Sequence, residues 1–336
     1  MKLSVFNEND EVLLLGEGNF SFSLALFNKN LNIKIIATCY EEEIRKPAEC
    51  NVHVLRTNGI RVLSGIDATK LNECQDLKNK VFDKIIFNFP HVGGKMRIEK
   101  NRQLLKKFFT CAGNFLKSTG QIIVTLCNGQ GGTPVDNPQR NWNDSWQIVE
   151  MSAHGNFLLI NVQPFEMTFF ENYIVTGYRS LEKQFNTKGS ITHFFRRTNN
   201  NNFKENNQIA IDVGKLDLLN FYGNWNDIVR VENLKINSEP ISLYPLNFTF
   251  DITVIVENYF SDSKLFGVLF NFAGKIIDNV ELIDSYEFSN CNKKTRTYRI
   301  KYMSHFIPLH RKRVINIHQN IIAKILEENL PVTVSR

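Results

Sequence analysis

The sequence predicts two domains, an α/β domain built on a parallel sheet and a smaller α+β domain that follows it. The length of 336 residues exceeds that of one average domain. Short apolar runs alternate with helical stretches over residues 12–180, whereas after Pro245 the order becomes strand, helix, two strands, helix and strand. We therefore assign the α/β domain to residues 1–180, an irregular linker to 181–243 and the second domain to 244–336.

Strands of the α/β domain are predicted where apolar residues run together, and helices where the apolar spacing is three to four residues. Such alternation produces a parallel sheet covered by helices on both faces. The predicted strands are Val12–Gly16, Ile33–Thr38, Arg61–Ser64, Phe82–Asn88 and Gln121–Leu126, and the predicted helices are Phe20–Asn28, a polar helix ending near Asn58, Ile98–Leu116 and Asp144–His154.

Two more strands are predicted at Phe157–Val162 and Tyr173–Tyr178, with no room for a helix between them. We expect them to close the sheet as an antiparallel pair. The segment after them is rich in asparagine at 199–202 and has too little apolar content for a core, which predicts a linker. Ordered patches are expected within it around Phe194–Arg197 and Leu216–Trp225.

The second domain has the element order β-α-β-β-α-β, which is that of a ferredoxin-like fold. Its long last helix is amphipathic, with apolar residues on one face. The predicted elements are Phe248–Glu257, Phe260–Phe272, Lys275–Ile283, Thr295–Met303, His310–Asn329 and Pro331–Val334, with a turn at 290–294.

Composition excludes several classes of protein. No run of about 18 apolar residues occurs, so we expect no membrane span, and the mixed charge of Met1–Asp10 predicts no targeting peptide. The six cysteines include no C-x-x-C pair, so we expect neither a metal site nor a disulfide framework. The net charge of +6 is only weak evidence for a polyanionic partner.

A glycine loop, Gly16-Glu-Gly-Asn-Phe-Ser21, follows the first strand, where open parallel sheets bind ligands. Dinucleotide-binding loops carry a third glycine for a pyrophosphate, and Ser21 takes its place here. S-adenosylmethionine has no phosphate and does not require that glycine. Glu41 and Asp67 follow the second and third strands, where carboxylates can bind a ribose and an adenine amino group. The alternative is a tight turn and solvated loop charges.

Asn88-Phe-Pro-His91 follows the fourth strand. Methyltransferases that act on nitrogen often have an Asn/Asp-Pro-Pro-aromatic sequence there, and this sequence is a variant of it. We expect Asn88 to orient the carbonyl edge of a nucleobase and His91 to be the general base, because imidazole titrates near neutral pH. The alternatives are a proline loop that ends a strand, and a His91 that only caps or stacks.

Several blocks together resemble the family of large-subunit ribosomal RNA uridine-N3 methyltransferases over residues 10–180. Five strand–helix units closed by a strand pair are also the element order of Rossmann-like class I methyltransferases. The blocks are Gly16–Ser23, Ala37–Glu41, Gly65–Leu71, Phe82–Gly93, Asn101–Arg102 and Val124–Leu126.

This resemblance implies S-adenosylmethionine as cofactor, a uracil target in rRNA or tRNA, and a cytoplasmic, nuclear or nucleolar location. The implied cofactor-binding residues are Gly16, Glu17, Gly18, Asn19, Phe20, Glu41 and Asp67, and the implied catalytic residues are Asn88, Pro90 and His91. The long turn from Cys127 to Trp146 departs from the ribosomal enzymes.

The second domain is similar to the ferredoxin-fold anticodon-binding domain of phenylalanyl-tRNA synthetases, which implies that it binds RNA. Ten basic residues after residue 292 face only Glu327 and Glu328, which predicts a basic face for phosphates. Tyr302, His305 and Phe306 lie among them as candidates for stacking on bases. The basic residues are Lys293, Lys294, Arg296, Arg299, Lys301, Arg311, Lys312, Arg313, Lys324 and Arg336.

Two functional alternatives remain open. A non-catalytic RNA-binding or assembly factor could retain the same fold, and the basic stretch could be a solvated surface without a partner. A nicotinamide-dependent oxidoreductase is disfavoured because the third glycine is missing and the partner domain is basic.

Overall fold

The chain divides into two compact units, each described here by itself. The first contains residues 1–198 and 240–244, and the second contains the rest. The computed structural model describes residues 3–92, 97–177, 186–198, 223–228, 239–257, 259–288 and 293–335.

A seven-stranded sheet forms the centre of the first unit, and its strand order is β3-β2-β1-β4-β5-β7-β6. Strands β1 to β5 run parallel, and β7 is antiparallel to both β5 and β6. The strands are β1 (Glu11–Leu15), β2 (Lys34–Thr38), β3 (Arg61–Leu63), β4 (Phe82–Asn88), β5 (Leu116–Leu126), β6 (Phe157–Pro164) and β7 (Ile191–Arg197). The strand order reverses between β1 and β4, which is where such sheets bind ligands.

Helices cover the sheet, with α1 packed against α2 and α3 against α4. They are α1 (Ser21–Phe27), α2 (Lys46–Thr57), α3 (Ile98–Ala112) and α4 (Ile148–Ala153). Because both faces are covered, Val12, Leu13 and Leu14 of β1 are all fully buried. This explains why the central strands read as continuous apolar runs, and it confirms the predicted α/β class.

The prediction for the closing strand pair was wrong in one member. β6 pairs with Ile191–Arg197, which lies inside the predicted linker, and not with Tyr173–Tyr178. Within the described residues, Tyr173–Gly177 is not a strand. The reason is a contact with a distant part of the sequence: Ser21 Oγ accepts a hydrogen bond from the Ile174 N–H at 3.0 Å and donates to the Ile174 carbonyl at 3.1 Å. The backbone there is held by side chains and not by a neighbouring strand.

The first unit therefore extends beyond the predicted boundary at residue 180, to Thr198. The expected ordered patch at Phe194–Arg197 is part of β7. The asparagine-rich tract at 199–207 and the patch at 216–222 lie outside the described residues. Trp225 belongs to the second unit, where its buried indole donates to the Asp278 carbonyl at 3.1 Å. The two domain identities remain predictions.

The second unit has the predicted element order and an antiparallel sheet with the strand order β11-β8-β10-β9. Of the predicted turn at 290–294, residues 290–292 lie outside the described residues, and Lys294 is already the first residue of a strand. The elements are β8 (Asn247–Val256), α5 (Asp262–Ala273), β9 (Ile277–Glu287), β10 (Lys294–Met303), α6 (Arg311–Asn316), a π-helical segment (Ile317–Ile322), α7 (Ala323–Asn329) and β11 (Val332–Ser335).

A buried histidine makes the stability of the first unit sensitive to pH. His193 of β7 is fully buried, with Nδ1 at 3.4 Å from the Val124 carbonyl oxygen. Burial disfavours the charged imidazolium and lowers the pKa of His193 to about 4. The unfolded chain therefore takes up a proton at a higher pH than the folded one.

We expect His193 to lower the thermal midpoint of the first unit relative to a variant without it as the pH drops from about 6.5 towards about 4, because protonation of His193 favours the unfolded state in that window. Glu17, whose pKa burial raises, acts in the opposite direction and does so in both proteins. The stabilisation is fully present above about pH 6.5. His193→Gln keeps a polar side chain that does not titrate, so it should flatten this dependence. Calorimetric scans against pH measure the effect, and equal slopes for both proteins would contradict it.

Candidate active site

The glycine loop approaches strand β4 very closely. Gly16 has a φ of +67°, and a Cβ added there would lie 2.6 Å from the Phe87 ring. The Glu17 N–H donates to the Thr38 carbonyl at the end of β2, at 2.9 Å. Only glycine combines this backbone conformation with so little space.

Glu17 is a buried carboxyl group in the wall of a cavity. It accepts hydrogen bonds from the Ser23 N–H at 3.1 Å and the Ser23 hydroxyl at 3.0 Å. Burial is the largest effect on it, and it raises the pKa of Glu17 to about 7. The charge of this side chain therefore changes near neutral pH.

Asn19 and Phe20 form the junction between the loop and helix α1. Asn19 Oδ1 accepts from the Ser21 N–H at 3.0 Å and its Nδ2 donates to the Ile174 carbonyl at 3.1 Å. Asn51 of α2 in turn donates to the Asn19 carbonyl at 2.9 Å. Phe20 is buried in the core and does not line the cavity, so its predicted contact with a cofactor is not supported.

The turns after β2 and β3 bring two predicted carboxylates to the same edge. The Gly65 N–H donates to the Glu41 carbonyl at 2.7 Å, which joins the two turns. The Glu41 carboxylate lies 3.7 Å from Arg45. Asp67 Oδ1 accepts from the N–H and the hydroxyl of Thr69, both at 2.8 Å, which fixes its orientation.

One cavity of about 930 Å³ joins the ends of β1 to β4. Both Gly18, which is predicted to bind the cofactor, and Asn88, which is predicted to be catalytic, line it. Every predicted site residue except Phe20 is in its wall: Gly16, Glu17, Gly18, Asn19, Glu41, Asp67, Asn88, Pro90 and His91. Its volume falls within the range typical of small-molecule sites.

Asn88 is the polar group in this wall whose hydrogen bonds are missing. Its Nδ2 and Oδ1 are both buried, and neither has a partner among the described residues. Leaving such groups unpaired costs about 1–3 kcal/mol each, so they usually mark a place that a ligand or water satisfies.

His91 lies three residues further, with its ring centroid 6.0 Å from that of Trp146. Burial is the cause that lowers the pKa of His91 below its ordinary value. The imidazole is therefore neutral at physiological pH and able to accept a proton.

Asn101 and Arg102 of α3 hold the loops around His91, a role that the sequence did not reveal. Asn101 Oδ1 accepts from the Val92 N–H at 3.0 Å. Arg102 is buried and donates to the carbonyls of Asn143 and Ser145 in the long turn before α4, at 2.8 and 2.7 Å. The two adjacent residues connect the Asn-Phe-Pro-His loop to the turn that carries Trp146.

The predicted basic face of the second unit is half neutralised. Carboxylates pair with five of its ten basic residues, and four of these carboxylates come from before residue 293, outside the stretch that was counted in the sequence. The pairs are Lys294–Glu287, Arg296–Asp262, Arg299–Asp251, Lys301–Asp278 and Lys324–Glu328. Arg336 lies outside the described residues.

The stacking role expected of Tyr302 is wrong. Tyr302 is fully buried, and its hydroxyl lies 2.9 Å from His318 Nδ1. Phe306 packs against the core of the same unit. His305 is exposed.

The described part of the chain contains no group of three or more His, Cys, Asp or Glu side chains placed to hold a metal ion. None of its helices is both long and apolar enough to cross a membrane.

Comparison with known proteins identifies the region that forms the cavity. The family model described as rRNA (uridine-N3-)-methyltransferase BTM5-like matches residues 13–177. All the residues that line the cavity, from Gly16 to Gly177, fall within this match.

Two curated relatives illustrate the extent of the similarity. Human ferredoxin-fold anticodon-binding domain-containing protein 1 is 43% identical over 196 residues, which covers 56% of this chain and 31% of the human protein. The 25S rRNA (uridine(2634)-N(3))-methyltransferase of Saccharomyces cerevisiae is 26% identical over 225 residues, covering 51% of this chain and 67% of the yeast protein. The chain thus spans about a third of the length of its human relative.

Among solved structures, TrmN from Thermus thermophilus is 16% identical with a TM-score of 0.37, and the match covers 58% of this chain and 46% of that one.

Two glycines with left-handed backbones make a matched pair of test positions. Gly59 has a φ of +79° but open space around it, whereas Gly16 faces the Phe87 ring. Each Gly→Ala change costs about 1–2 kcal/mol of backbone strain, but only Gly16→Ala displaces the loop. We expect Gly16→Ala to abolish S-adenosylmethionine binding in calorimetry and Gly59→Ala to retain it. Full binding by a folded Gly16→Ala protein would contradict this assignment.

Proposed function

We propose that residues 13–177, which the rRNA (uridine-N3-)-methyltransferase BTM5-like family model matches, form a domain of that family, and that this chain transfers a methyl group from S-adenosylmethionine to N3 of a uridine in ribosomal RNA. The unpaired amide of Asn88 is the observation that carries the proposal. A uracil edge offers the complementary pair, a carbonyl oxygen that accepts and an imide N–H that donates.

The cofactor fits the half of the cavity at the ends of β1 to β3. Gly16 and Gly18 allow the backbone to approach it, while Glu41 and Asp67 supply acceptors for ribose hydroxyls and the adenine amino group. Bound there, S-adenosylmethionine supplies an electrophilic methyl group on a sulfonium. The cavity of about 930 Å³ has room for the cofactor and one nucleobase.

On the acceptor side, Asn88 is proposed to orient the uracil ring and His91 to remove its N3 proton. Asn88 donates to a ring carbonyl, which orients N3 and stabilises the negative charge that develops when its proton leaves. His91 is neutral and would take that proton, which leaves a lone pair on N3 to accept the methyl group from the sulfonium. Alignment and exclusion of water then supply much of the rate.

The second unit is proposed to bind a structured part of the RNA. Its β-α-β-β-α-β order and the name of the human relative support this role, although half of its basic residues are ion-paired. An rRNA substrate implies a nuclear, nucleolar or cytoplasmic site of action, because rRNA is made and ribosomes are assembled in these places.

Mass spectrometry of nucleosides tests the function directly. We expect N3-methyluridine to disappear from large-subunit rRNA when the gene is removed and to return with the wild-type gene. Asn88→Ala should fail to restore it, since loss of one such donor slows a reaction about 100- to 1000-fold. Asn58→Ala, which removes an exposed amide at the end of α2, is the matched control. Unchanged modification in the deletion strain would favour a non-catalytic RNA-binding factor instead.

The pH dependence of methyl transfer tests His91. Because burial lowers the pKa of His91, the wild-type rate should rise with pH at values below about 6.5 and then level off near neutrality. His91→Gln should lower kcat about 100- to 10,000-fold and remove this plateau, since proton loss then depends on hydroxide. An unchanged profile in His91→Gln would leave the residue with a purely structural role.

A further inference from the structure

One face of helix α3 lines the cavity. Lys100, Gln103 and Lys107 recur at intervals of three and four residues, which places them on the same side of the helix, and all three are in the cavity wall. Each is exposed to solvent. This wall therefore reaches from the cavity to the surface of the first unit.

Lys100 and Lys107 are the unneutralised positive charges of the wall within the described part of the chain. Its other two basic residues have carboxylate partners: Arg45 lies 3.7 Å from Glu41, and Lys70 lies 3.4 Å from Glu73. Glu99, in the first turn of α3, is bonded to Arg102 and not to these lysines. The two lysines are available for an anion from outside.

Charge is divided across the cavity. Glu17, Glu41 and Asp67 follow β1, β2 and β3, where the cofactor is proposed to bind. Lys100 and Lys107 belong to the helix after β4, the strand that ends with Asn88. Arg45 and Lys70 also line the cavity near β2 and β3 but are paired with carboxylates, so the unpaired positive charge is on the acceptor side.

We propose that Lys100 and Lys107 bind backbone phosphates of the RNA strand on either side of the target uridine. The inference rests on the proposed function and adds its substrate-binding surface. The two lysines are seven residues apart, or about 10 Å along the helix, so they can contact different phosphates. A lysine is a flexible point charge that positions a phosphate without reading sequence.

This surface differs from the basic face expected in the second unit. There, five of the ten basic residues are bound to carboxylates, whereas on α3 both lysines of the cavity wall are unpaired among the described residues. Because Asn88 lines the same cavity, an RNA strand bound along α3 would place the base of its target uridine near Asn88. The first unit would then contact the flanking phosphates itself.

Salt dependence of binding provides the test, with a fluorescein-labelled oligouridylate as the probe and the full chain as the protein. Each phosphate contact to a single strand contributes about 0.7 to the slope of log affinity against log salt. The double variant Lys100→Gln, Lys107→Gln should therefore have a slope shallower by about 1.4. The ratio of the wild-type affinity to the affinity of the double variant should therefore fall about sevenfold between about 50 and about 200 mM salt.

Lys106→Gln is the matched control, because it removes the same charge from the same helix outside the cavity wall. It should leave the slope unchanged. In methyl transfer, the double variant should raise KM for rRNA and leave kcat and S-adenosylmethionine binding unaltered.

An unchanged slope in the double variant, or an equal change in Lys106→Gln, would overturn the inference. Loss of cofactor binding in the double variant would overturn it as well. If the slope falls as expected but no RNA is methylated by the wild-type protein, the α3 surface stands and the proposed enzymatic function fails.

Discussion

The site depends on the close approach of the loop after β1 to strand β4. A side chain at Gly16 would occupy the space of the Phe87 ring, and the register pairs Leu15 directly with Phe87. Asn88 is the next residue of β4. The packing that positions the glycine loop therefore also holds the strand that presents the unpaired amide, so the proposed cofactor side and the proposed acceptor side share one structural support.

Much of the fold follows from the pattern of apolar residues. Strands covered on both faces have no polar side to display, so β1, β2, β4 and β5 could be recognised from short apolar runs. The closing strand could not. Tyr173–Tyr178 has the composition of a strand, but hydrogen bonds from Asn19 and Ser21, some 150 residues earlier, hold its backbone near the glycine loop. Local propensity does not include such a contact. The residues of β7 were assigned to a linker for a different reason, because the segment that contains them is rich in asparagine and low in apolar residues.

The sequence was enough to predict where most of the site residues lie, whereas the roles assigned to them remain predictions. Strand ends meet at one edge of a parallel sheet, so placing Gly18, Glu41, Asp67 and Asn88 after successive strands was enough to bring them to one cavity. Phe20 was included because of its position in the loop, yet its apolar ring packs inside the core.

The contacts of Arg102 join segments about 40 residues apart, and nothing in its own neighbourhood indicates them. Basic residues after Lys293 were counted along the chain, whereas their acidic partners Asp251 and Asp262 come from preceding elements.

The proposed binding of a cationic cofactor beside Glu17 would also release protons from the protein. A carboxyl group whose pKa is about 7 is partly protonated in neutral solution. A cationic ligand beside it favours the ionised form, so the protein releases protons to the medium as the ligand binds. The heat measured on binding then includes the ionisation enthalpy of whichever buffer receives those protons. Titrations in two buffers of different ionisation enthalpy count the protons that leave.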